Sequence, residues 1–172
     1  SILFVYSLGK AKRLLKHLDT NIGKIYTHGA IENMNNVIRP MVALPETTLI
    51  KRETKKEDIS GNLVLAPPSA HGTTWIRKMA PFVTGTASGW MAFRGARRRK
   101  AIDKGFVLSD HCDWDGLLSS IKATGAEKII CTHGYTDIFS KYLRELGYDA
   151  RTEKTQYEGE NAEMNKEEDL EK

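Results

Sequence analysis

Cysteine is nearly absent: two residues in a chain of 172, Cys112 and Cys131. They are not spaced as a CxxC pair, so neither a disulfide framework nor a thiolate metal site is expected, and both read as small buried residues of a reduced protein. Long apolar runs are missing as well. Mean hydropathy is −0.44, and no stretch approaches the roughly 18 residues that a membrane-spanning helix needs. No charged–apolar–small leader opens the chain, which points to the cytoplasm. Glycine-rich nucleotide loops are also lacking. Gly9-Lys10 follows the first apolar run, but the earlier glycine of GxxxxGK is missing and Ala11 stands where a serine or threonine should hold magnesium. No GxGxxG fingerprint follows any expected strand, which weakens a dinucleotide-binding reading. With 40% hydrophobic residues, the chain can bury one core with a small appendage.

Charge is unevenly spread. The net charge is +4, yet residues 151–172 hold four basic and eight acidic side chains, a balance of −4 that leaves +8 on the rest. A basic body suits a polyanionic partner, although solvated surfaces carry similar excesses. The densest basic run is Arg94, Arg97, Arg98, Arg99 and Lys100, beside Trp90 and Phe93. Arginines with aromatic neighbours suit phosphates and unstacked bases, and equally an ordinary solvated helix face. From about Gly159 the chain is polar and acidic, and disorder is expected. The chain starts at Ser1 without a methionine and enters a strand at once, as a piece of a longer protein would.

What is present is an alternation of short apolar runs and amphipathic segments. Strands are expected at Ile2–Tyr6, Lys24–Thr27, Thr48–Ile50, Asn62–Ala66, Phe82–Ser88, Phe106–Leu108, Ile129–Cys131 and in the segment from Asp149. Helices are expected after Gly9, over Ile31–Ile38, around Trp75–Met79, from Trp114 to a stop at Gly125, and over Asp137–Leu146. This pattern predicts an α/β fold with a largely parallel sheet.

Two of the strands end in histidines. Phe106-Val107-Leu108 leads through Ser109-Asp110 to His111, and Ile129-Ile130-Cys131 leads through Thr132 to His133. Were these strands parallel neighbours, both imidazoles would reach the carboxyl edge, where open α/β sheets collect their sites. Asp110 and Asp113 flank His111, and a carboxylate beside an imidazole raises its pKa and fixes its tautomer. His28 closes a strand without acidic neighbours and His71 follows a proline turn; both read as structural or surface residues. Gly9-Lys10 retains one weaker possibility, phosphate binding at a helix N-terminus.

In this order, FVYSLGKAKRLL, YTHGA, LVLAPPSA, TASGWMAFRGARRR, GFVLSDHCDW and THGYTD resemble the ligase-associated DNA exonucleases of bacteria, which belong to the metallo-β-lactamase superfamily and are related to its β-CASP nucleases. The resemblance covers roughly residues 1–158. It implies a β-CASP-like cap over residues 1–100, the C-terminal segment of a metallo-β-lactamase αββα sandwich over 101–158, and a tail over 159–172. It further implies hydrolysis of DNA phosphodiesters with two zinc ions, His133 as a metal ligand, and His111 as the group that protonates the leaving oxygen, with Asp110 and Asp113 beside it. Lys10, Arg94, Arg97, Arg98 and Arg99 would hold the nucleic-acid backbone. A DNA ligase and a helicase are the partners that the resemblance suggests.

One departure is decisive for activity. The family's His-x-His-x-Asp-His motif is absent, so the chain as given is expected to lack most metal ligands and to be inactive alone. Two other readings stand beside this one: an RNA-processing β-CASP nuclease, and a nucleic-acid-binding module without catalysis.

Overall fold

The computed structural model describes residues 1–93 and 102–155. The chain divides into two compact units, Ser1–Cys112 and the part from Asp113 onward. The expected α/β class is what forms.

The first unit is built on six parallel strands: β1 (Ile2–Phe4), β2 (Ile25–Thr27), β3 (Thr48–Leu49), β4 (Leu63–Ala66), β5 (Thr84–Ala87) and β6 (Lys104–Phe106). Their spatial order is β3-β2-β4-β1-β5-β6. Central β1 aligns Ile2, Leu3 and Phe4 with Val64, Leu65 and Ala66 on one side and with Thr84, Gly85 and Thr86 on the other. The continuous apolar runs of β1 and β4 are explained by burial on both faces, the condition of a parallel sheet.

Period-two alternation sorts the side chains. Ile2, Phe4, Tyr26, Val64 and Ala66 pack with Ile59, Ala70, Ile76 and Met79. Leu3, Val5, Ile25, Leu65 and Ala87 pack with Ala11, Leu15 and Ile31. The helices divide accordingly: α1 (Gly9–His17) and α2 (Gly29–Ile38) contribute to the second cluster, and the short α3 (Lys56–Ile59) and α4 (Thr74–Arg77) to the first. The connections after β1 and β2 run toward the β3 edge, whereas those after β3, β4 and β5 run back toward the β6 edge. Right-handed crossovers in opposite directions place their helices on opposite faces, and the loops leaving neighbouring strands part at the carboxyl edge to form a crevice.

A polar knot ties α2 to β2 and to the chain before β3. Buried Glu32 accepts from the Thr27 hydroxyl at 2.7 Å, the Thr47 hydroxyl at 2.6 Å, Asn35 Nδ2 at 3.1 Å and Arg39 Nη1 at 2.7 Å. Burial alone would raise its pKa, but hydrogen bonds from Thr47, Thr27, Arg39 and Asn35 outweigh that and lower it. Lys12 joins the knot through Asn35 Oδ1 at 2.6 Å, and desolvation brings its pKa down to about 8 against the opposing pull of Glu32.

In the second unit, β7 (Lys128–Cys131) pairs in parallel with β8 (Asp149–Thr152). Helix α5 (Trp114–Thr124) precedes β7, and α6 (Thr136–Glu145) connects the two strands. Gly125 ends α5 in the left-handed conformation, φ 66°, where the Trp114–Ile121 apolar spacing stops. Cys131, Leu143 and Ala150 form the buried centre, flanked by Leu118, Ile121, Ile129, Phe139 and Tyr148. Burial raises the Cys131 thiol pKa. Cys112, by contrast, is exposed rather than buried as its composition suggested: it lies in the loop after β6, outside every apolar cluster of the described residues.

Candidate functional site

The described strands β6 and β7 do not pair, so the condition under which both histidines would share one sheet edge is not met. The two strands belong to separate sheets in separate units. Strand β6 is the outer partner of β5, and β7 finds its pair in β8 because the connection through α6 returns to it. His111 therefore lies beyond the carboxyl end of β6 and His133 beyond that of β7.

The first unit gathers its chemistry at the carboxyl edge, where Ser109, Asp110 and His111 settle against the start of α1. That helix has no side-chain cap at Leu8 and no acidic residue in its first turn, so its N-terminal dipole is uncompensated by local sequence. Asp110 supplies the negative charge from a hundred residues away. Its carboxylate stands over Gly9: a Cβ at Gly9 would land on Asp110 Oδ2, with Cγ at 3.1 Å. Lys10 lies beneath, its side chain 2% exposed, with Nζ 3.8 Å from Asp110 Oδ1 and 4.8 Å from the Tyr6 ring centroid. A buried ammonium is costly unless it is paired, which explains the carboxylate above it.

Further bonds fix the same loop. Arg13 Nη1 donates to the Ser109 carbonyl, and the Ser109 hydroxyl accepts from the His111 backbone N–H at 3.1 Å. Ser88 N–H donates to Phe106 O at 3.1 Å, and Leu108 N–H to Ser88 O at 3.4 Å, which carries the β5–β6 pairing past the strand ends. His111 is exposed on this framework. Lys10, expected to touch a phosphate backbone, is instead covered, with the Asp110 carboxylate 3.8 Å from its ammonium.

The other two histidines of the edge are occupied structurally. His28 Nδ1 accepts from Ala30 N–H at 3.1 Å and so caps α2, while its ring meets Trp75 edge-on at 4.7 Å. Desolvation lowers its pKa. His71 is exposed and rests edge-on against Phe4 at 5.0 Å. Trp90 and Phe93 follow β5 with ring centroids 6.0 Å apart, and Phe93 is exposed. Arg94, Arg97, Arg98 and Arg99, as well as the tail from Gly159, lie outside the described residues.

In the second unit Asp113 caps α5, its Oδ1 accepting from Gly116 N–H at 2.8 Å. His133 is exposed in the turn between β7 and α6, followed by Gly134 at φ 81°. Among the described residues no three His, Cys, Asp or Glu side chains converge as a metal-binding group. The described residues do not make up a two-zinc centre by themselves.

Sequence reading found Lys10, Asp110 and His111 separately but missed their arrangement, and it missed Arg13. Nothing in local spacing links residue 10 to residue 110. The one available signal was a lysine at the start of a helix that has no acidic residue of its own.

No family model matches the chain, and no solved structure matches it. A curated relative from Opitutus terrae, described as a "Probable DNA ligase", is 30% identical over 150 residues. The match takes in 87% of this chain and 14% of that protein, so the chain corresponds to a small part of its relative. Among the described residues, no helix is long and apolar enough to cross a membrane.

Proposed function

We propose that this chain is part of a DNA-processing enzyme, namely the cap and C-terminal segment of a metal-dependent DNA exonuclease of the metallo-β-lactamase superfamily. The observation that carries the reading is the seating of Ser109-Asp110-His111 at the carboxyl edge of a parallel sheet. The loop is gripped from α1 and from the segment after β5, and it leaves one imidazole exposed. Such an edge is where open α/β folds act on their ligands. The six ordered motifs that resemble the nuclease family include the same loop, and the relative's name attaches a similar stretch to a protein acting on DNA.

In this reading His111 gives a proton to the sugar oxygen that departs when the phosphodiester breaks, the work of a general acid. His133 serves a zinc ion whose remaining ligands come from outside the described residues. The Arg94–Arg99 run holds the phosphate backbone, and a ligase or helicase works on the same DNA. The test uses a longer protein that joins this chain to the missing ligand motif. His111→Ala is expected to lower its turnover on DNA about a hundredfold or more, the usual worth of a positioned acid, with DNA affinity retained. Unchanged turnover would remove His111 from the reaction, and matched RNA cut faster than DNA would favour an RNA-processing nuclease.

The relative's name supports a second reading, in which the shared stretch belongs to a ligase itself. Joining of nicked DNA lost when the matching stretch of about 150 residues is removed from the relative, without loss of nuclease activity, would favour it.

A further inference from the structure

We propose that Lys10 is a positioning residue for His111, acting through Asp110 rather than by touching DNA; the proposal rests on the reading above. The fold buries an ammonium directly beneath the loop that carries the exposed imidazole, and Asp110 Oδ1 is 3.8 Å from it. It also leaves the first helical position without a Cβ, at the spot that the Asp110 carboxylate fills. The start of α1 is thus shaped to receive a carboxylate, by charge from Lys10, by the dipole of the helix and by space at Gly9.

Each contribution acts on the residue next to His111. Asp110 held down on Gly9 fixes the backbone at Asp110, and the Ser109 hydroxyl bonded to the His111 N–H at 3.1 Å fixes the other side of the turn. Arg13 adds a grip on the Ser109 carbonyl. A proton donor loses effectiveness quickly when its geometry loosens. The pair therefore explains why this lysine is covered instead of presented to a phosphate, the role its neighbourhood in sequence suggested.

Two variants test the proposal from opposite directions. Lys10→Met removes the charge and keeps an apolar stem in the buried site. Gly9→Ala puts a methyl group where the Asp110 carboxylate sits and releases the loop; the gain in helix propensity offsets part of the cost of drawing Asp110 away from Lys10. In the 172-residue chain, amide hydrogen exchange at residues 109–111 is expected to quicken about tenfold in both variants, as for the loss of one charge-assisted bond, with β1, β4 and β5 unchanged. Unaltered exchange at 109–111, or equal acceleration across the central strands, overturns the proposal.

The longer protein supplies the second readout. Both variants should lower kcat on DNA about tenfold and leave KM within about twofold, the pattern of lost alignment. A raised KM with unchanged kcat would make Lys10 a backbone contact and overturn positioning. If the longer protein does not cut DNA at all, the proposed function fails, while the exchange experiment still decides whether Lys10 holds the loop.

Discussion

The two units solve the same problem, a parallel sheet, to different degrees. In the first, the four inner strands β2, β4, β1 and β5 are buried, and two apolar clusters share strands whose side chains alternate between them. In the second, two strands share one cluster centred on Cys131, Leu143 and Ala150. Helix α5 has no buried residue, and Ile130, Tyr135, Ile138 and Leu146 stay exposed. Parallel strands are stable when both faces are covered. The first unit meets that condition from its own residues and the second does so on one side, which predicts unequal stability.

The largest expected effect follows from that inequality. Leu143→Ala removes the most deeply buried apolar side chain described in the second unit and should cost about 2–5 kcal/mol. That is enough to unfold a cluster of this size while the first unit stands, and denaturant titration would show two separated transitions. A single transition shifted as a whole would mean that the units fold together. Breaking the polar knot comes next: Glu32→Ala should destabilise the first unit by about 3 kcal/mol, because it leaves Arg39 and three other donors without their shared carboxylate.

Acid sharpens the same contrast. Because the folded pKa of Glu32 lies below its ordinary value of 4.5, its stabilisation is present above about pH 4.5 and is lost as pH falls through the folded pKa. Thermal melts from pH 6 downward should lose the first unit's stability more steeply in the parent than in Glu32→Gln, which starts lower. Equal slopes would mean that the carboxylate contributes no linkage. The smallest effect belongs to Gly125→Ala, where a Cβ meets no neighbour but φ is 66°; strain of about 1 kcal/mol should fall on the second unit alone.

Much of this fold is legible in local pattern. The α5 helix and its stop at Gly125 follow from apolar spacing and a left-handed terminus, and the buried strands from short apolar runs. His28 could be read as structural because it lacks acidic neighbours, and it caps α2. Pairing between distant segments is another matter. The Phe106–Leu108 and Ile129–Cys131 runs have similar patterns, yet they enter different sheets because pairing depends on which connection brings a strand home. The Lys10–Asp110 contact is likewise invisible to any local window, since it arises only when β1 and β6 leave the sheet at the same edge. Cys112 is exposed although cysteine is most often buried, because composition says how often cysteine is buried, not where a loop carries it.

The most direct test of the account compares zinc content and DNA hydrolysis of this chain with those of a longer protein that adds the His-x-His-x-Asp-His motif. Zinc and cleavage are expected in the longer protein, with cleavage lost in His111→Ala and zinc lost in part in His133→Ala. Stoichiometric zinc together with cleavage by residues 1–172 alone would contradict this, because the described residues bring no three metal-binding side chains together.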